Sequence, residues 1–75
     1  MIFNGLSKSD LVVYNALADM LNGKPRPISA GQVACKTGYS NKTVRVALAR
    51  LVDWELVDRT PTGPGQPYEY DLVKE

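Results

Sequence analysis

The sequence predicts a small α+β fold, mostly α, in which three helices are followed by a β-hairpin. An apolar residue, a serine and a second apolar residue four positions after the serine recur three times, as Leu6-Ser7 with Leu11, Ile28-Ser29 with Val33 and Tyr39-Ser40 with Val44. Each set predicts a helix start, the serine capping free amides while the flanking apolar pair closes a hydrophobic staple. After residue 56 the spacing turns from helical to alternating, which is the signature of strands. A length of 75 residues sets a single domain, 1–75, burying about 60% of its unfolded surface.

The first helix is predicted over 8–22, with Asp10 approximating a capping box and Gly23, Pro25 and Pro27 ending it. Leu11, Tyr14, Leu17, Ala18 and Leu21 form one apolar stripe at helical spacing, expected to face the core, and Val13, Ala16 and Met20 form a second. Exposed apolar faces mark contacts. The second face is therefore expected either beneath Met1-Ile2-Phe3 or against another copy of the chain, with Phe3, Val13, Ala16 and Met20 as the candidate homodimer contact. Arg26-Pro27-Ile28 reads as a short strand, placed at a sheet edge because proline cannot donate to a ladder.

The second helix is predicted over 30–36, with Gln32 completing a capping box on Ser29. Gly38 can take positive φ without steric cost, which lets the next helix leave at a steep angle. The third helix is predicted over 41–53, its core stripe being Val44, Ala47, Leu48, Leu51 and Val52. Projection at 100° per residue places Lys42, Val46, Ala49 and Arg50 opposite that stripe, with Thr43 and Arg45 at its flanks. The hairpin is predicted over 56–73: a strand from Leu56 to Thr60, a proline- and glycine-rich loop over 61–67, and a strand from Tyr68 to Val73. Tyr68, Tyr70 and Leu72 share the face expected to lie on the helices.

A net charge of +1 hides a sorted distribution. Residues 24–52 carry Lys24, Arg26, Lys36, Lys42, Arg45 and Arg50 with no acid, whereas the chain beyond them is rich in Asp and Glu. A polyanion meets one attractive segment. With no histidine and one cysteine, Cys35, there is neither an internal disulfide nor a zinc set, and no nucleophile has a visible base. Cys35 reads as a small packing residue, and Trp54 as a core or half-buried one. Gly63-Pro64-Gly65 has no following lysine and opens no helix, so it is no phosphate loop. These features predict a protein that is not an enzyme and needs no cofactor. No apolar run reaches the roughly 20 residues of a membrane span, and the N-terminus lacks signal-peptide features; the expected location is the cytoplasm, with no membrane partner.

The segment ISAGQVACKTGYSNKTVRVALARLVDWELV, residues 28–57, resembles winged helix-turn-helix DNA-binding domains, like those of phage and plasmid replication proteins and small bacterial transcriptional regulators. Val33, Ala34, Gly38, Ser40, Thr43, Val44, Leu48 and Leu51 match the helix-turn-helix pattern, and Leu56-Val57-Asp58-Arg59 with Tyr68-Glu69-Tyr70 match the wing. The resemblance implies binding of double-stranded DNA with the third helix in the major groove, in transcription or replication control. Lys42, Thr43, Arg45, Val46 and Arg50 are the candidate groove contacts. Ser29, Gln32, Lys36, Ser40 and Asn41 are candidates for phosphate, together with Arg59, the one basic residue of the hairpin. Where the family has a glycine after the third helix this chain has Glu55, so the helix is expected to end differently or to run on through Trp54. The wing loop bears no lysine or arginine, which disfavours minor-groove reading. A protein partner docked on Val46 and Ala49 or on the acidic hairpin is the alternative.

Overall fold

Three serines cap three helices. Ser7 precedes α1 (Lys8–Leu21), Ser29 precedes α2 (Ala30–Thr37) and Ser40 precedes α3 (Asn41–Asp53), each side chain accepting the amide three residues on. The structure, a computed structural model, describes residues 7–73. Three short strands, β1 (Arg26–Pro27), β2 (Val57–Thr60) and β3 (Glu69–Leu72), form an antiparallel sheet in the order β1-β3-β2. The domain is thus α+β and mostly helical, with its proline-bearing strand at the edge, where a missing N–H does not interrupt a ladder.

Each helix stops on a left-handed turn. α1 ends at Asn22 (φ 50°) and α2 at Gly38 (φ 82°), whose amide donates to the Ala34 carbonyl at 2.8 Å. Beyond α3, Trp54 caps the helix and Glu55 takes φ 59°. The Glu55 amide donates to the Val52 carbonyl and the Leu56 amide to the Leu51 carbonyl, both at 3.0 Å. This is the paired-bond C-terminal motif usually built on glycine. The helix therefore ends where a glycine would end it, but on a glutamate, a conformation that costs an L-residue about 1 kcal/mol. It does not run on through Trp54, which is exposed, contrary to the expectation of a buried or half-buried ring.

Val13, Leu17 and Leu21 of α1, Val33 of α2, Val44, Leu48 and Leu51 of α3, and Ile28, Val57 and Tyr70 of the sheet side form one core. α1 is rotated from its expected setting. Val13 and Ala16 are buried in the chain's own core and Met20 packs against it, whereas Leu11, expected in the core, is 37% exposed. Two apolar stripes competed for one interior, and periodicity alone does not choose between them. In the setting adopted, Asp10 goes inward with Val13 and its carboxylate meets α3. Val13 and Ala16 are accordingly unavailable to a second copy of the chain, and Phe3 lies outside the described residues. In α2, Val33 and Ala34 are buried while Cys35, expected as a packing residue, is exposed.

Candidate nucleic-acid interface

Burial of Val44, Ala47, Leu48 and Leu51 fixes how α3 faces the rest of the molecule. Asn41, Lys42, Arg45, Val46 and Arg50 are left exposed, with Thr43 and Ala49 half-buried beside them. At 100° per residue Lys42, Val46 and Ala49 stand near the crest of the helix, with Arg45 and Arg50 on its two flanks. On one side lies a cleft of about 380 Å³, where Arg45 and Leu48 meet Ser29 at the start of α2 and Arg59, Gln66 and Tyr68 of the hairpin. On the other side a cleft of about 320 Å³ brings Lys42, Thr43, Val46 and Arg50 to Ser7 and Asp10 at the start of α1. Ser29, Lys42, Thr43, Arg45, Val46, Arg50 and Arg59 are therefore brought onto one ridge and its two flanks, whereas Gln32 and Lys36 of α2 line neither cleft.

Several of them are already occupied by the fold. The Arg50 guanidinium lies 3.5 Å from Asp10 Oδ2, and Asp10 is 2% exposed. The Ser7 amide donates to that same oxygen at 3.0 Å, while the Asp10 amide donates to Ser7 Oγ at 3.3 Å. Asp10 thus closes the capping box of α1 and anchors Arg50 in one group, tying the start of α1 to the exposed side of α3. Lys36 Nζ lies 3.1 Å from Asp19 Oδ2 in an exposed pair. Ser29 and Gln32 hold each other, the Ser29 amide donating to Gln32 Oε1 at 2.8 Å and the Gln32 amide donating to Ser29 Oγ at 3.2 Å. Ser40 Oγ accepts the Thr43 amide at 3.2 Å and donates to Thr43 Oγ1 at 3.0 Å.

Lys42, Arg45 and Arg59 have no carboxylate partner among the described residues. Arg59 instead lies over the Tyr68 ring, 4.9 Å from its centroid. Tyr68 meets Tyr70 edge-on at 6.5 Å. Of the two tyrosines expected against the helices, Tyr70 is buried and Tyr68 is 44% exposed on the cleft. Burial holds the Tyr70 hydroxyl above the usual phenol range, against the opposite pull of the Arg59 guanidinium. The far edge of the hairpin is unsuited to a polyanion: Asp58 sits directly opposite Asp71, a like-charge pairing that also weakens the ladder.

Sequence reasoning missed Asp10 as the partner of Arg50. The visible signal was an acid at N3 at helical spacing with Val13, Leu17 and Leu21; its burial depends on how α1 packs on α3, which no local pattern encodes. Among the described residues no helix is long and apolar enough to cross a membrane. No family model matches the chain, and neither a curated protein nor a solved structure matches it.

Proposed function

We propose that this chain is a non-catalytic winged helix-turn-helix domain that binds double-stranded DNA in the cytoplasm, with α3 in the major groove, as a small regulator of transcription or replication. The observation that carries the reading is the exposed face of α3, where Lys42, Arg45 and Val46 stand out, with Arg50 beside them paired to Asp10 and no acid along the helix before Asp53 at its end. A helix is the element the major groove admits, and its protruding cations are what phosphates and guanine edges attract. Arg45 and Lys42 take the groove and nearby backbone, Val46 approaches thymine methyls, and Arg59 reaches phosphate from the hairpin. Lys36 and Arg50 are held by carboxylates, leaving three cations free to neutralise phosphate. The log-log salt slope then comes to about −3.

Amide NMR spectra recorded while a short random-sequence duplex is added, at low and then near-physiological salt, test this directly. The expected result is a set of shifts concentrated on residues 40–50 that shrinks with salt. Absence of shifts at low salt would sink the DNA reading. A protein-docking role would then lead, favoured by the 46% exposure of Val46 in the middle of that face.

A further inference from the structure

The cleft between α3 and the hairpin has the make-up of a small-molecule site. Its volume of about 380 Å³ lies in the range of pockets that hold metabolite-sized ligands. Ile28, Leu48 and Pro67 supply apolar wall, and the exposed Tyr68 adds an aromatic surface. Arg45 enters from α3 and Arg59 from β2, and none of the residues around the cleft is acidic. Two guanidiniums from separate elements, left without a carboxylate among the described residues, call for a compact group of matching charge. A phosphate monoester, bearing about two negative charges and three acceptor oxygens, answers both forks better than a single carboxylate does. The Ser29 hydroxyl uses its oxygen as an acceptor for the Gln32 amide, so its proton remains to be donated to the same group. The apolar wall favours a phosphate that carries an apolar body such as a ring.

We propose that this cleft binds a free organic phosphate of mononucleotide size, its ring against the wall of Ile28, Leu48 and Pro67 and its phosphate between Arg45 and Arg59, the latter lying over Tyr68. Binding here does not require the duplex reading, yet it uses Arg45 and Arg59, two side chains that reading also needs. A bound phosphate therefore occupies both guanidiniums.

The test is an amide NMR titration of the full chain without DNA, using adenosine monophosphate, adenosine and inorganic phosphate as separate probes. The expected result is saturable shifts at Arg45, Leu48, Arg59 and Tyr68 with the monophosphate, and binding at least about tenfold weaker for adenosine and for phosphate, because each probe lacks one half of the match. The double substitution Arg45→Gln with Arg59→Gln, both at exposed positions, is expected to weaken monophosphate binding by about tenfold or more. Shifts that stay linear to about 10 mM, where even a millimolar complex would saturate, overturn the proposal. So does equal binding of inorganic phosphate and the monophosphate, which would mark a bare ion contact. Since no duplex is present, this result and the outcome of the DNA titration are independent of each other.

Discussion

Arg45 and Arg50 stand five positions apart on α3, about 140° apart around its exposed surface, and in the sequence both count as cations of the one basic segment. The fold makes them different. Arg45 opens on the cleft beside the hairpin with no acid near it, whereas Arg50 is drawn to a carboxylate buried under the first turn of α1. One is a surface charge available to a ligand, and the other is a tie between two helices. A basic segment counted along a chain therefore overstates the charge a polyanion meets, because some of its cations are spent on the domain's own acids.

That contrast breaks most visibly in stability. Arg50→Ala leaves the Asp10 carboxylate in place with the Ser7 amide as its remaining hydrogen-bond donor, and an acid stripped of its cation in a buried position is strongly unfavourable. Arg50 is itself half exposed, so the expected loss is discounted to about 2 kcal/mol, read from urea unfolding. The same variant is expected to retain DNA affinity to within about threefold. A stability change below about 0.5 kcal/mol, the scale of ordinary surface substitutions, would refute the tie. Arg45→Ala should behave in the opposite way, leaving stability within about 0.5 kcal/mol and lowering duplex affinity about tenfold, or about 1.4 kcal/mol. Equal loss of affinity in the two variants would erase the difference between the two arginines.

The parts that were legible in the sequence are those set by chemistry close along the chain. Ser7, Ser29 and Ser40 marked their helix starts because a cap needs only its own first turn. The Val44 to Leu51 stripe marked the buried side of α3 because the opposite side is charged, leaving one solution. α1 offered two apolar sides and no such contrast, so Val13 and Ala16 looked free when they were core. The same limit hid the site's pairings. Asp10 with Arg50 and Arg59 with Tyr68 join residues brought together by helix packing and strand register, and Lys36 with Asp19 joins α2 to α1 across their packed surface. The cleft was invisible for the same reason, since its walls come from α2, α3 and the hairpin at once.

A smaller effect separates the two ends of the helix pair. The turn after α2 is made by Gly38, which bears its left-handed φ freely, while the turn after α3 is made by Glu55 at φ 59°. Replacing Glu55 with glycine relieves the steric cost but gives the unfolded chain more freedom. The first term is larger at a left-handed position, so Glu55→Gly is expected to raise stability by about 0.5–1 kcal/mol. It also leaves the exposed face of α3 untouched. A fall in thermal midpoint would show that the glutamate side chain contributes more than its backbone costs.

The smallest change in stability belongs to Lys36 and Asp19, and it sharpens the contrast from the other direction. Their contact at 3.1 Å joins two well-solvated side chains, a class of pair worth between nothing and about 1 kcal/mol. Asp19→Asn should therefore move stability by no more than about 0.5 kcal/mol. Its consequence for DNA is larger in proportion, because it releases a cation of α2 and removes a repulsive charge with the same substitution. If Lys36 then finds phosphate, the salt slope steepens by about 0.9, from about −3 to about −4. An unchanged slope with unchanged stability would place Lys36 off the DNA path, and the contact would then be confined to α3 and the hairpin.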